Sequence, residues 1–140
     1  MTDPDFYALA YHPEPPLLRG RHLRPLRAEE VTESCELLLA AAQRWDCTRW
    51  LLDGRATPYG QPPALRHWLR EEYWPRVQAT LGRAVRVAFW VTPAVRLELD
   101  RLGYQQAEAL PLGVGHVGWF TEESAALAWL ARRAGSSRGA

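Results

Sequence analysis

The side chains best suited to recognise a ligand follow a short apolar run in the first half of the chain. Trp50, Leu51 and Leu52 form this run, which ends abruptly at Asp53. Six residues that carry carboxylate, guanidinium, hydroxyl, imidazole and indole groups are the candidate binding residues: Asp53, Arg55, Thr57, Tyr59, His67 and Trp68. Together they could orient a polar group of a ligand or partner against an aromatic wall.

Ordinary structural roles compete with these assignments. Asp53 and Arg55 could pair with each other or cap the loop, as acidic residues in turns commonly do. Trp68 could belong to the core side of an amphipathic helix, because aromatic side chains bury large areas. His67 lies beside the apolar stripe of that helix, where an exposed neutral imidazole is the default.

A change in hydrophobic pattern around these residues predicts a strand, a loop and a helix. The run at 50–53 predicts a buried strand, and the loop at 54–63 is rich in glycine and proline. Apolar residues follow helical spacing over 63–81, although Pro75 predicts a kink or break near Trp74. Ligands of open α/β sheets bind where strand carboxyl ends meet such loops, so a site is expected here.

Similar patterns place the other elements along the chain. They are a hairpin with a proline-bearing turn over 6–26, a helix over 28–44, a strand over 85–92, a helix over 94–102, a strand over 115–120 and a final helix capped by Thr121. Arginines in the second hairpin strand, 17–26, could contact phosphate, but a solvated edge strand is the preferred interpretation. Residues 104–113 are expected to form a loop.

The resulting order, β-β-α-β-α-β-α-β-α, predicts an α/β fold. Right-handed crossovers place helices over a mostly parallel sheet that begins with the N-terminal hairpin. At 140 residues the chain fits a single domain. We assign that domain to 1–134 and expect a flexible tail at 135–140.

The composition is that of an ordinary globular protein and argues against several classes of function. All 17 basic residues are arginines, and 16 acidic residues leave a net charge of +1, which disfavours nucleic-acid binding. The acidic N-terminus lacks the apolar region of a signal peptide, and no apolar run approaches the length of a membrane span. We therefore expect a cytoplasmic protein.

No motif supports a metal site, a cofactor or catalysis. The two cysteines and four histidines show no spacing typical of metal ligands. Residues 113–118 match G-x-G-x-x-G, but a dinucleotide site needs a preceding strand and a helix that opens within the motif. Extended residues follow here, so the glycines are expected to permit a bulge or a close backbone approach. With no nucleophile elbow or phosphate-binding loop in the sequence, we do not expect an enzyme.

Three pieces of the chain carry a resemblance to a known family. They are Trp-Leu-Leu-Asp-Gly-Arg at 50–55, the tryptophan- and proline-containing run at 68–75 with the strand at 85–91, and the closing helix sequence at 119–130. In this order they resemble the STAS and SpoIIAA-like domains, whose shape is related to that of CRAL-TRIO lipid-carrier domains. The resemblance extends from Tyr7 to Arg132.

The resemblance implies binding to a partner protein. Classical members of the family antagonise anti-sigma factors and are switched by phosphorylation of a serine on the loop after this strand, which adds negative charge. The chain has no serine between Ser34 and Ser124, and the hydroxyl groups of the loop belong to Thr57 and Tyr59. This departure from the family pattern disfavours a phosphorylation switch.

The number of tryptophans bears on the choice between functions. There are seven, and Trp45, Trp74 and Trp90 are hard to place together inside so small a core. Aromatic residues left at a surface favour an interface, so a homodimer is expected first and an apolar pocket second. The first hypothesis is a non-enzymatic STAS-like regulatory domain that acts through a protein partner or its own copy. The second is a carrier or sensor of a small apolar, lipid-like ligand in a pocket near the loop 54–63, and an enzyme is a distant third.

Overall fold

A six-stranded mixed sheet organises the structure of this protein. The structure is a computed structural model, and it describes residues 4–57, 60, 62–110 and 113–132. The strands are β1 (Tyr7–Pro13), β2 (Pro16–His22), β3 (Arg49–Asp53), β4 (Val85–Trp90), β5 (Ala107–Ala109) and β6 (Gly115–Phe120). Their order across the sheet is β1-β2-β3-β4-β6-β5. The inner pairings β2–β3, β3–β4 and β4–β6 are parallel, whereas β1–β2 and β5–β6 are antiparallel.

Helices connect the strands and cover the sheet. They are α1 (Ala28–Trp45), α2 (Pro63–Trp68), a π-helical segment (Leu69–Tyr73), α3 (Trp74–Leu81), α4 (Pro93–Arg101) and α5 (Glu123–Leu130). We call the face that carries Trp50 and Val87 the multi-helix face, because these residues pack with α1, α3 and the π-helical segment. The other side, where Leu51 and Ala88 pack against α5, is the α5 face. The predicted α/β class and N-terminal hairpin are confirmed, and the predicted tail at 135–140 lies outside the described residues.

The strand that ends at Asp53 lies inside the sheet, as predicted. β3 pairs with β2 on one side and with β4 on the other. Its side chains alternate between the faces, so Trp50 joins the core of the multi-helix face while Leu51 joins that of the α5 face. Trp50 is fully buried and donates its indole N–H to the carbonyl of Cys47 at 2.8 Å. The chain therefore leaves the interior of the sheet at Asp53.

The prediction of an edge position for the second hairpin strand is wrong. β2 lies between β1 and β3, and β1 takes the edge. Arginines are tolerated on this inner strand because α5 leaves part of its face of the sheet open to water. Arg19, for example, forms a half-exposed ion pair with Glu123 at the start of α5. The arginines of this strand therefore indicated a solvated face rather than an edge.

The second predicted helix, in which a kink or break was expected near Trp74, stays helical but changes its type there. The backbone at Trp68, Leu69 and Trp74 stays in the right-handed helical region throughout. Trp74 donates its N–H to the carbonyl of Leu69, five residues earlier, which is the π-helical pattern. This wider turn accommodates the proline ring, which would crowd the preceding turn of an α-helix. Gly82 then ends α3 in the left-handed conformation, as predicted.

Two predictions in the last third of the chain are corrected. Residues 104–113 were expected to form a loop, but they include the three-residue edge strand β5. Alanine and glutamate have low strand propensity, so this strand gives no local signal. The helix α5 begins at Glu123 with Glu122 as its N-cap, so the predicted cap at Thr121 is wrong. The carbonyl of Thr121 instead accepts the indole N–H of Trp90 at 3.3 Å.

Gly115 confirms the interpretation of the glycine-rich motif as a site of close backbone approach. Its φ of 142° lies in a region that favours glycine. A Cβ atom at this position would lie 1.9 Å from the carbonyl oxygen of Val85 on the neighbouring strand. The glycine is required by strand packing, and a bound nucleotide is not needed to explain it.

Candidate functional site

A cavity of about 410 Å³ lies between the multi-helix face of the sheet and the helices that cover it. Side chains of β3, β4 and β6 form its floor, and α1, the π-helical segment and α4 form its walls. The loop after β3 borders the mouth through Gly54, Thr57 and Gly60. Cavities of this size, lined mainly by apolar side chains, are typical small-molecule sites.

The floor and walls of the cavity are largely apolar. Leu52, Phe89, Val117 and Trp119 form the floor. The apolar side chains of the walls come from α1, from the π-helical segment with the adjoining start of α3, and from α4; they are Val31, Leu38, Leu69, Trp74, Val95 and Leu99. Because these elements are far apart in sequence, the cavity exists only in the folded chain.

Aromatic rings give the cavity a flat and fixed apolar surface. The rings of Phe89 and Trp119 are stacked, with centroids 6.5 Å apart and planes at 15°. Tyr104 meets Trp119 edge-on at a centroid distance of 5.3 Å. On the π-helical wall, Tyr73 meets Trp74 edge-on at 5.1 Å. Such contacts hold the rings in place, so the surface is preorganised for an apolar or aromatic ligand.

Burial favours the neutral forms of four titratable side chains of the cavity lining, Tyr7, His22, Cys35 and Tyr73. Burial raises the pKa of the Cys35 thiol to about 12. Burial likewise raises the pKa values of the Tyr7 and Tyr73 hydroxyls above their ordinary value of 10. Burial lowers the pKa of His22, although the nearby carboxylate of Asp53 opposes this shift. At neutral pH these side chains add no charge to the interior, which therefore favours neutral apolar groups over ions.

Several polar atoms of the walls are already satisfied within the protein. The hydroxyl of Tyr73 donates to the carbonyl of Cys35 at 2.7 Å, and the hydroxyl of Ser34 donates to the carbonyl of Val31 at 2.7 Å. Donors used in this way are not free to recognise a ligand. Specific polar recognition is therefore expected at the mouth rather than on these walls.

Hydrogen bonds fix one side of the mouth. The Thr57 hydroxyl oxygen accepts the backbone N–H of Leu26 at 3.3 Å and lies 3.0 Å from Nδ1 of His22. These contacts tie the loop after β3 to the end of β2 and to the segment that follows it. Thr57 therefore borders the cavity and also holds its rim in position.

Charged side chains of both signs lie on the rest of the mouth. Glu98 on α4 accepts the backbone N–H of Gly60 at 3.1 Å, which connects the loop to α4. Arg66, Arg70 and Glu108 also border the cavity. A ligand could therefore place an apolar body inside and leave a polar end among these groups.

Asp53 and Arg55 are paired on the opposite side of the sheet. Nε and Nη2 of Arg55 donate to the two carboxylate oxygens at 3.0 and 2.9 Å, and the backbone N–H of Arg55 donates at 3.1 Å. The guanidinium also lies 3.4 Å from the ring centroid of Trp90. Partial burial raises the pKa of Asp53, but the hydrogen bonds and charge of Arg55 outweigh it and the net pKa is lowered. These contacts confirm the pairing considered for the two residues.

The other candidate residues lie in different surroundings. Thr57 borders the cavity, whereas His67 is exposed on α2. Trp68 is half-buried, stacks on Tyr73 at a centroid distance of 5.4 Å and packs against the core. Tyr59 lies outside the described residues. Of the five candidates that the structure describes, only Thr57 lines the cavity.

The cavity residues that sequence reasoning missed lie mainly on β4, β6 and α4. Strand alternation does place Phe89 and Trp119 on the same side of the sheet, and the helical spacing of Val95 and Leu99 marks a buried stripe. A shared face predicts packing, however, and does not reveal that the helices leave space above it. The cavity depends on helix positions that local patterns do not encode.

Two further features of the described residues concern metals and membranes. Among residues 4–57, 60, 62–110 and 113–132, no group of three or more His, Cys, Asp or Glu side chains could hold a metal ion. In that same part of the chain, no helix combines the length and apolar character needed to cross a bilayer.

Comparison with known protein families, curated proteins and solved structures found no match to this chain. The function must therefore be inferred from the cavity and the side chains around it.

Proposed function

We propose that this protein binds a small apolar or amphipathic ligand in the cavity and does not catalyse a reaction on it. The observation that carries the proposal is a cavity of about 410 Å³ with an aromatic floor. Burial of apolar ligand surface there would contribute about 25 cal/mol per Å² to binding. This is the carrier or sensor hypothesis, and the apolar lining of the cavity supports it.

The distribution of charge indicates how such a ligand would be oriented. An ionised group placed deep in the cavity would lose its hydration, and the neutral side chains of Tyr7, Cys35 and Tyr73 offer no opposite charge. Arg70 and Glu98 line the cavity and are exposed, which places charge at its mouth. The ligand is therefore expected to have a neutral aromatic or aliphatic body, with any polar end directed outwards.

Binding of N-phenyl-1-naphthylamine, a neutral aromatic probe that fluoresces in apolar surroundings, tests this proposal. We expect saturable binding of one probe molecule per chain. Native mass spectrometry of the purified protein gives an independent measurement, with a co-purified lipid-like mass as the expected result. A ligand-free spectrum together with no saturable probe binding would contradict the proposal.

Two leucines near the mouth provide a matched pair of variants. Leu102 lines the cavity and is 51% exposed, whereas Leu97 on α4 is 49% exposed and does not line it. A bound probe would cover the exposed half of the Leu102 side chain, and burying that area contributes roughly 1 kcal/mol to binding. Leu102→Ser removes this contribution and should therefore weaken probe binding about fivefold. Leu97→Ser should leave the affinity unchanged. Equal effects of the two substitutions would place the probe on the surface instead of in the cavity.

As a second candidate, we propose a STAS-like domain that acts through a protein partner or a second copy of the chain. The order of elements supports it, because a hairpin followed by alternating helices and strands is what the resemblance implies, with β5 as an addition. The exposed ring of Trp45 also supports it, since this ring stacks on Tyr11 at the surface with centroids 4.7 Å apart. Exposed aromatic pairs of this kind are enriched at interfaces.

Sedimentation velocity tests the self-association part of this second candidate. The wild type should form a dimer at micromolar concentration, and Trp45→Ser should shift it towards monomer. Leu23→Ser is the control, because Leu23 is similarly exposed but lies outside the aromatic pair. A wild-type protein that stays monomeric at all concentrations would exclude the homodimer.

A further inference from the structure

Basic side chains converge on the α5 face of the sheet, where β3 and β4 begin. Arg49 of β3, Arg86 of β4 and His116 of β6 are register partners in neighbouring parallel strands. Residues aligned in this way project from the same face, and adjacent strands lie roughly 4.8 Å apart. Arg132 follows α5 and adds another guanidinium, and its carbonyl accepts a hydrogen bond from Nη2 of Arg49 at 3.3 Å.

Arg86 is the buried member of this cluster. It is 8% exposed, and its guanidinium carbon lies 4.0 Å from the ring centroid of Trp129. Its Nε donates to the carbonyl of Trp129 at 3.1 Å, but neither terminal nitrogen donates to a protein acceptor within the described ranges. Burial lowers the pKa of Arg86, and the positive charges of Arg132 and Arg49 lower it further.

Within the part of the chain that the structure describes, no carboxylate forms an ion pair with Arg49, Arg86 or Arg132. By contrast, Arg83, which precedes β4, is paired with Asp46 at 2.7 Å. A carbonyl group and an indole ring compensate this largely buried cation only in part, so its charge carries a cost, and its terminal nitrogens still reach solvent. An anion bound from solution would remove this cost.

We propose that Arg49, Arg86 and Arg132 bind a tetrahedral oxyanion, either free phosphate or the phosphoryl group of an ester. Guanidinium groups suit this role because each presents a planar set of N–H donors that matches the oxygen atoms of a phosphate. Two of them come from β3 and β4 and the third from the segment that follows α5, which provides donors from several directions. The site is independent of the cavity, because it lies on the other face of the sheet.

Isothermal titration calorimetry of the full chain with inorganic phosphate, at low ionic strength, tests the proposal. We expect saturable binding of one phosphate per chain. Arg132→Gln should weaken it about tenfold, the loss typical of one charge-assisted hydrogen bond. Arg132 is exposed, so this variant should fold normally. Arg101→Gln, at an exposed arginine on α4, should bind phosphate as the wild type does.

Further measurements decide between the outcomes. During the titration, the Nε–H resonance of Arg86 should move in the nuclear magnetic resonance spectrum. Tighter binding of phenyl phosphate than of phosphate would support the ester form of the proposal, and equal or weaker binding would support free phosphate. Three results would overturn the proposal. They are no saturable binding of phosphate to the wild type, the same phosphate affinity in Arg132→Gln and the wild type, and acetate binding as tightly as phosphate.

Discussion

Replacing Arg55 with glutamine should destabilise the protein while leaving ligand binding in the cavity unchanged. Arg55 lies on the α5 face, on the other side of the sheet from the cavity, and it pairs with Asp53 through both carboxylate oxygens. The Asp53 side chain is 11% exposed and that of Arg55 is 49% exposed. The interaction is therefore intermediate between a buried ion pair and a surface ion pair.

The expected loss follows from these exposures. Removing one partner of a buried ion pair costs about 3–5 kcal/mol, whereas exposed pairs contribute about 0.2–1 kcal/mol. In the variant, the carboxylate of Asp53 should still accept the hydrogen bond from the backbone N–H of residue 55, which is 3.1 Å long in the wild type. Water can also hydrate the carboxylate from the exposed side, so the cost should fall below that of a fully buried pair. Loss of the stacking on Trp90 adds up to roughly 1 kcal/mol. We therefore expect a decrease of about 2 kcal/mol in the free energy of unfolding.

Urea unfolding followed by far-ultraviolet circular dichroism measures this loss. Tryptophan fluorescence is less suitable, because Arg55 lies against Trp90 and its removal would change the signal directly. Arg83→Gln provides the control. Its partner Asp46 is 76% exposed and Arg83 itself is 53% exposed, so the cost should stay below about 1 kcal/mol.

The pH dependence gives a second check on the same pair. The pKa of Asp53 in the folded protein lies below its ordinary value of 3.8, so the pair stabilises the fold above that value and loses this effect as the pH falls. The difference between the wild type and Arg55→Gln should be largest at neutral pH and should shrink below about pH 4. A loss no greater than that of Arg83→Gln, or a difference independent of pH, would refute the reasoning.

Three further predictions follow from buried groups. Gly115→Ala places a Cβ 1.9 Å from the carbonyl oxygen of Val85 and should cost more than about 3 kcal/mol in urea unfolding; a loss under 1 kcal/mol would show that the strands separate easily. Hydrogen bonds from Arg24 and from the backbone lower the pKa of Glu30 from 4.5 to about 2, so the contribution of Glu30 to stability should be lost as the pH falls between these values. Glu30→Gln should flatten this part of the acid-unfolding curve, and an unchanged curve would contradict the assignment. Burial raises the pKa of Cys35 to about 12, so iodoacetamide should modify it far more slowly in the native protein at pH 8 than in urea, and equal rates would indicate an exposed thiol.

The elements could be predicted from the sequence wherever apolar spacing is regular. The spacing of Val31, Leu38 and Leu39 identifies α1, and the apolar run at 85–90 identifies a strand inside the sheet. β5 could not be predicted, because its three residues have low strand propensity and are held by pairing with β6, which follows later in the chain. The prediction that β2 lies at the edge of the sheet was wrong. Charged residues along a strand indicate that one face of the strand meets water, but they do not reveal whether another strand pairs on each side.

The site was harder to predict than the fold, because residues that are close in sequence separate in space. Asp53 and Thr57 are four positions apart in the sequence, yet Asp53 turns to the α5 face while Thr57 borders the cavity. Phe89 and Trp119 are distant in sequence and stack together on the cavity floor. Grouping candidates by their distance along the chain therefore identified the loop that borders the cavity but, among the described candidates, only one lining side chain, Thr57.

The indole resonances of the seven tryptophans test the central claim of ligand binding most directly. Trp74 and Trp119 line the cavity, whereas Trp90 and Trp129 lie on the α5 face. Titration with N-phenyl-1-naphthylamine should shift the indole N–H signals of Trp74 and Trp119 in a saturable manner and leave those of Trp90 and Trp129 in place. Shifts confined to Trp90 and Trp129, or no saturable shift at any tryptophan, would contradict the proposal.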